Sequence, residues 1–377
     1  MSSTSYPRDA EDWRGRFIVN LAASLGRRPD IQLDLWAPPG ELPPGVHDIA
    51  TPEERQWLQT LSERGGIAHL LRHDRLLAAK ASIGLLQRLH HAYRRHHPQV
   101  MHVNWLQNAL PLSGTRTPAV VSVLGTDFGL LRLPGMRLAL RRVFKQRPTV
   151  LAPNAQWMAP RLQVMFGDVA QVRPIPFGID QSWFDLQRAP PEDRPRHWLA
   201  VTRLTKNKIG DLFDWGAGLF GPDRILHLFG PMQETVAVPD WVQYHGPTHP
   251  AALLTTWFPQ AAGLITLSRH DEGRPQVMLE AMAAGLPIIA SDLPAHASFI
   301  DHDRTGWISS SPDDLAAALT RLEDPAENLR IGSAARQWAA DSVGTWDDCA
   351  ARYAAVYAQL LAGPPVGKQV AHPAGVR

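Results

Sequence analysis

Glu272 and Glu280, in the run DEGRPQVMLEAMAAGLPIIAS, bracket a short loop and the opening of a helix. Glu280 lies among Val277, Leu279, Ala281, Met282 and Ala283. A carboxylate buried on so apolar a helix without a partner costs several kcal/mol, so it is expected to hold something. The competing reading is an exposed Glu on an ordinary amphipathic helix. Arg203 and Lys208 form a second constellation at the end of a strand-like run. Arg offers paired hydrogen bonds and Lys a point charge, which together suit a diphosphate. Taken without the Glu loop, that pair reads better as a solvated turn. The backbone N–H groups of Gly273, Arg274 and Gln276, around Pro275, open a helix and would face the same anion. Glu272 and Glu280 would then accept hydrogen bonds from sugar hydroxyls on either side of it.

The elements that must position these groups alternate between strand and helix patterns, the layout of parallel sheets covered by helices. Strands are expected at 31–37, 100–105, 119–124, 149–152 and 171–176, then at 198–202, 225–229, 263–267 and 286–290. Helices are expected at 15–25, 68–95 and 136–145, then at 211–220, 249–257, 275–284, 312–322, 327–340 and 347–361. The segment Ile175–Asp180 and the Pro-rich stretch Gln187–Arg196 read as a hinge between two lobes. Ligands of open α/β sheets sit beyond the carboxyl ends of the strands, where both constellations fall.

Composition narrows the classes. The chain has 377 residues, 44% hydrophobic and 20% charged, which is ordinary for a folded protein of two or three domains. No apolar run is long enough to span a membrane, and MSSTSYPRDAEDW lacks the regions of a signal peptide, so a cytoplasmic protein is expected. A single cysteine, Cys349, excludes intramolecular disulfides and cysteine-built metal sites. Some of the 13 tryptophans are expected to line a sugar or lipid surface, most of them the core. The net charge is only +2, yet residues 1–180 carry 22 Lys and Arg against 14 Asp and Glu. The first half is therefore the candidate for meeting something anionic.

The runs RLTKNK and EGRPQVMLE, with the AMAAGLPIIASDLPAHASFI that follows, resemble retaining glycosyltransferases of family 4. The E-x7-E spacing from Glu272 to Glu280 and the Arg-x4-Lys spacing from Arg203 to Lys208 fit that family, as do PIPFGID at 174–180 and ILHLFG at 225–230. The resemblance implies the GT-B fold of two Rossmann-like α/β/α domains facing a central cleft. An acceptor-binding domain would span 1–177 and a donor-binding domain 178–345. A helix over 346–362 would cross back to the first lobe, and a disordered tail is expected over 363–377.

By the same resemblance, Arg203 and Lys208 hold the donor diphosphate, Glu280 the nucleotide ribose, and Glu272 with the amides after it the transferred sugar. Gly15 matches the glycine of the first strand-to-helix loop, where a side chain would block the diphosphate; a plain turn glycine is the alternative. Family members work without a metal or other cofactor and keep the anomeric configuration. The chain departs from the family where Leu124-Gly125-Thr126-Asp127 replaces the frequent His-Gly-x-Asp. Asp127 remains a candidate acceptor-binding or base residue, with turn capping an equal alternative. His102 and Asn104 are weaker candidates for the same cleft. The family's Lys-Gly pair is here Lys208-Ile209-Gly210.

The expected reaction moves a sugar from a nucleotide-diphosphate sugar to a lipid-linked or glycan acceptor. Fixed cations stabilise the leaving group where other folds use a divalent metal. A nucleotide-sugar epimerase on the same fold is the alternative within enzymes. A nucleic-acid-binding protein is a distant third, because aromatic residues do not interleave with the arginines as a stacking platform requires. Asp301-His302-Asp303 imitates a metal-binding D-x-D but reads as a loop. The cluster His90, His91, His96 and His97 is interleaved with Arg94 and Arg95, which disfavours a bound cation.

Two further expectations concern the first lobe. Leu-rich basic helices at 68–95 and 136–145 suit an anionic membrane surface on the inner face of the cell membrane. The ordinary alternative, Leu toward the sheet and Arg toward water, is as good. Met1–Ser5 is also too short and polar for a full central strand, so a shortened strand or a start placed too far downstream is expected.

Overall fold

The computed structural model describes residues 1–9, 12, 14–188, 194–270 and 273–363. Twelve strands are named there: β1 (Leu33–Leu35), β2 (Val46–Asp48), β3 (Met101–Asn104), β4 (Ala119–Val123), β5 (Thr149–Pro153), β6 (Gln171–Val172), β7 (Arg196–Val201), β8 (Arg224–Phe229), β9 (Val242–Gly246), β10 (Ala261–Thr266), β11 (Ile288–Ser291) and β12 (Trp307–Ser309).

The first lobe contains a sheet in the order β3-β4-β5-β6 and a separate pair β1-β2, all parallel. Residues 1–3 join the two. Ser2 bridges to Val103 on one side and Trp36 on the other. Ser2 N–H donates to His102 O at 2.8 Å and Ser3 N–H to Trp36 O at 2.9 Å. The shortened strand expected from the sequence is thus present, central and paired on both edges. β3, β4 and β5 are buried throughout, as strands covered by helices on both faces must be.

The second lobe is one parallel sheet in the order β12-β11-β10-β7-β8-β9. Its core gathers Leu199, Phe229, Leu264, Met278, Leu279, Met282 and Ile288. The helix Trp346–Ala362 leaves this lobe and packs on the first: Cys349, Tyr353 and Val356 share a buried cluster with Ile18, Leu21, Val120 and Val150. Two facing parallel-sheet lobes with a returning C-terminal helix form the GT-B fold.

Several local expectations are corrected. The run 68–95 is two helices, Gly66–His73 and Arg75–Arg95, because Asp74 turns its side chain to cap Leu77 N–H at 2.9 Å. The strand expected over 171–176 stops at Val172, since Pro174 and Pro176 have no N–H for a ladder. The helix expected over 211–220 shrinks to Leu212–Gly216. Part of the expected hinge, residues 189–193, and the tail beyond Gly363 lie outside the described residues.

Candidate nucleotide-sugar cleft

β7 and β10 are adjacent, so the loops that follow them meet at the carboxyl edge of the second sheet. Arg269 N–H donates to Asn207 O at 2.8 Å, and Asp211 N–H donates to Leu267 O at 3.1 Å. Arg269 is also ion-paired with Asp211. Gly210, at φ +55, lets this approach happen, because a Cβ there would collide with the carbonyl of Leu267. The altered Lys208-Ile209-Gly210 sequence therefore keeps its glycine where the two loops touch. Arg203 and Lys208 sit on the first of these loops, partly buried, and Arg203 Nη1 reaches Gln233 Oε1 at 3.4 Å.

The second loop leads into the helix Gln276–Ala283. Pro275 precedes it with extended backbone and offers no side-chain cap to the N–H groups of its first turn. Gln276 instead donates its side-chain amide to Gly178 O at 2.9 Å, tying the helix start to the hinge. Glu280 is partly buried on this helix. Burial, aided by the negative charge of Asp180, pushes its carboxyl up to about 7. Glu272 lies outside the described residues.

The expectation for Arg274 concerned its backbone N–H, and its side chain turns elsewhere. Its backbone stays in the loop, but its guanidinium packs 5.6 Å from the Phe299 ring and 5.7 Å from Trp338. Burial, with Arg352 nearby, lowers it to about 10.

The first lobe meets this loop directly. Trp157 Nε1 donates to Gly273 O at 2.8 Å. A Cβ on Gly273 would lie 3.0 Å from both Asn154 Oδ1 and Gly125 N, so a side chain there would crowd the loops after β4 and β5. The loops after β4 and β5 are thereby brought against the loop after β10. Sequence reasoning passed over Trp157 and Asn154, whose only signal was their place just beyond a strand.

Gly15 has φ +69, and a Cβ would come within 2.7 Å of the backbone of Ser5 and 2.8 Å of Tyr6 N. It caps the helix Arg16–Gly26 and lets the loop after the first short strand fold tightly over the helix start. Immediately after it, Phe17 stacks on Phe177 with centroids 4.7 Å apart and meets Trp105 edge-on at 5.8 Å.

The remaining acceptor-side candidates are not on the cleft surface. Asp127 is 2% exposed, and its two oxygens accept from Leu106 N–H at 3.1 Å and Leu124 N–H at 2.8 Å. Burial raises its carboxyl to about 7 despite those two donors. Its geometry is that of a backbone clamp between the loops after β3 and β4. His102 faces the C-terminal helix, bonded to Tyr357 Oη at 2.6 Å and Ser122 Oγ at 2.8 Å, and burial lowers it to about 3. Asn104 is fully buried and donates to Ser2 O at 3.1 Å, supporting the short strand. A buried position on a central strand, which alternation alone could not aim, explains both corrections.

Asp301 and Asp303 are held in a turn by Arg304, Arg321 and Arg330. Among the described residues no group of three His, Cys, Asp or Glu is placed to hold a metal ion. A separate cavity of about 620 Å³ opens at the amino edge of β5 and β6, away from the cleft.

Residues 221–324 match the family described as glycosyl transferases group 1. Over 151 residues, 39% of this chain and 31% of the relative, the chain is 30% identical to a D-inositol 3-phosphate glycosyltransferase of Streptomyces bingchenggensis (strain BCW-1). Over 265 residues, 62% of this chain and 68% of the relative, it is 27% identical to a GDP-mannose-dependent alpha-(1-6)-phosphatidylinositol monomannoside mannosyltransferase of Mycobacterium tuberculosis. The match thus spans about a third of the first relative's length. The fold is similar to that of sucrose-phosphate synthase from Thermosynechococcus elongatus, with a TM-score of 0.67 at 18% identity over 93% of this chain and 94% of that one. The chain has the GT-B fold, and residues 221–324 of its second lobe are similar to the glycosyl transferases group 1 family.

Proposed function

We propose that this protein is a retaining, metal-independent glycosyltransferase that moves a hexose from a nucleotide-diphosphate sugar to a lipid-linked or glycan acceptor. The observation that carries this reading is Glu280: a partly buried carboxylate, raised to about 7, on the helix that follows β10 through the loop in which Arg269 touches the Arg203–Lys208 loop. A carboxylate in that state gains from hydroxyl donors, which the ribose of a nucleotide supplies. Arg203 and Lys208 would take the diphosphate, helped by the uncapped first turn of Gln276–Ala283. Glu272 and Gly273 would face the transferred sugar. The GDP-mannose dependence in the mycobacterial relative's name supports a nucleotide-sugar donor.

In the step itself, the sugar–diphosphate bond breaks as the acceptor oxygen bonds to the anomeric carbon on the same face. The departing phosphate takes the acceptor's proton, and the two cations stabilise the charge it gains.

For the acceptor, the reading rests on two stretches of the first lobe. Leu71, Leu76, Ile83, Leu133 and Leu138 are all exposed, as are Arg75, Lys80, Arg137, Arg142 and Lys145 in the same stretches. Apolar side chains set among cations suit the headgroup layer of an anionic bilayer, where each Lys or Arg near the surface contributes about 1 kcal/mol. No described helix is long and apolar enough to cross a membrane.

A thermal-shift screen against UDP-, GDP- and ADP-sugars tests the donor. Arg203→Ala and Lys208→Ala should each slow transfer by roughly 10²–10³ with the fold intact, and EDTA should leave the rate unchanged. Wild-type kinetics in both variants, or a strict need for Mg²⁺, would overturn the site. Turnover of donor alone into an isomeric nucleotide sugar would instead identify an epimerase.

A further inference from the structure

Trp105 ends β3 with φ +67 and ψ 141, a backbone conformation that residues with a Cβ rarely adopt. The position is fixed from both sides. Trp105 N–H donates to Ser122 O at 3.0 Å, and its carbonyl accepts from Asn108 N–H at 3.2 Å. The next amide, Leu106 N–H, is held by the buried Asp127 carboxyl at 3.1 Å.

The indole so displayed is partly exposed and belongs to neither hydrophobic cluster of its lobe among the described residues. It is the open end of an aromatic row. Trp346 lies against Phe177 at 5.9 Å, Phe177 stacks on Phe17 at 4.7 Å, and Phe17 meets Trp105 edge-on at 5.8 Å. Trp346 and Phe177 are each 6% exposed, whereas Phe17 and Trp105 are partly exposed. The row runs along the carboxyl edge of the first sheet, from the hinge past the helix start at Gly15 to the end of β3. That edge faces the loop carrying Gly273.

A large apolar side chain kept out of the core and held in an unfavourable backbone conformation calls for a ligand surface. We propose that Trp105 is the acceptor-binding platform: its indole packs against the C–H face of a pyranose or cyclitol ring, orienting that ring's hydroxyl toward the donor sugar. This rests on the transferase reading above. A ring polyol suits the place because it offers an apolar face to the indole and hydroxyls to its polar rim. Asp127 acts on it only as a positioning residue, through the Leu106 amide.

Glycine separates this role from a structural one, because it accepts φ +67 without strain while removing the indole. Trp105→Gly, Trp105→Ala and Trp105→Phe would be compared with wild type in three measurements. These are melting temperature, calorimetric binding of GDP- and UDP-sugars, and transfer to a panel of octyl hexopyranosides and D-inositol 3-phosphate. Trp105→Gly is expected to melt no lower than wild type and to bind the donor within twofold of it. Its half-saturating acceptor concentration should rise at least tenfold, and Trp105→Phe should recover part of that loss.

The proposal is overturned if the Gly and Ala variants keep the wild-type acceptor dependence. It is also overturned if Trp105→Gly melts well below wild type, since the indole would then be filling structure. Transfer by the wild type to no ring polyol of the panel, with donor still bound, overturns the platform alone. A wild type that binds no nucleotide sugar overturns the transferase reading, and this inference with it.

Discussion

The indole N–H of Trp157, beyond β5 in the first lobe, donates to the carbonyl of Gly273 in the second at 2.8 Å. One hydrogen bond therefore spans the cleft and fixes the loop that opens the helix of Glu280. Trp157 is itself seated by stacking on Phe128 with centroids 5.8 Å apart.

Trp157→Phe keeps that stack and removes the donor. The lost bond is worth about 0.5–1.5 kcal/mol, so donor affinity should fall roughly 2- to 10-fold without loss of fold. Calorimetric titration with the nucleotide sugar measures it. Unchanged affinity would show that the contact plays no part in holding the donor loop.

Glu280 makes donor binding pH-dependent. Its carboxyl, raised from an ordinary 4.5 to about 7, carries a proton in much of the free protein below neutrality. Hydroxyl donors favour the ionised form, so binding should release a proton and weaken as pH falls below about 7. Titrations in buffers of different ionisation enthalpy detect that proton, and Glu280→Gln should abolish both effects. The stability of the free protein follows with the opposite slope. A raised carboxyl contributes no penalty below about 4.5 and lowers stability as pH rises through about 7, so the Glu280→Gln variant should gain on wild type across that window.

Asp127→Ala would leave the buried amide of Leu106 and the partly buried amide of Leu124 without that acceptor. Each such loss costs about 1–3 kcal/mol, so the variant should be destabilised by at least about 2 kcal/mol in urea unfolding. Asp127→Asn, which keeps one carbonyl acceptor, should fall between. A stability equal to wild type in the alanine variant would deny the clamp.

The basic face of the first lobe should sediment with anionic liposomes at low salt and release as salt rises. Charge reversal is best aimed at Arg137, Arg142 and Lys145, because Arg141 is already committed to Asp168 and Met165 O. No association at low ionic strength would leave that face to solvent.

The apolar strands and their order along the chain were legible because a strand buried on both faces is a continuous run of Val, Ile, Leu and Ala, as in Ala119–Val123. The strands that escaped, Val46–Asp48, Val242–Gly246 and Trp307–Ser309, lie at sheet edges where most residues meet water and the pattern dissolves. The Arg203–Lys208 loop and the Glu280 helix were legible as residue types at fixed spacing on neighbouring loops. His102 and Asn104 were not, because the aim of a side chain on a fully buried strand depends on what packs above it. For His102 that is the helix of Tyr353 and Tyr357, more than 250 positions later in the chain, and for Asn104 the carbonyl of Ser2, about 100 positions earlier. Trp105 was invisible for a different reason: nothing in the letters announces a positive φ.

The return of the helix Trp346–Ala362 to the helix Arg16–Gly26 has a consequence for how the chain is made. Arg27 and Asp347, which pair across that contact, are separated by 320 positions. As the polypeptide emerges from the ribosome, the second lobe gathers its core from one stretch of chain, between Ile179 and Val343. The first lobe must wait with Ile18, Leu21 and Val120 uncovered until Tyr353 and Val356 arrive. Contacts of such high order form late, so the half that begins synthesis first is the half that finishes folding last, and the exposed stage in between is where chaperones would engage.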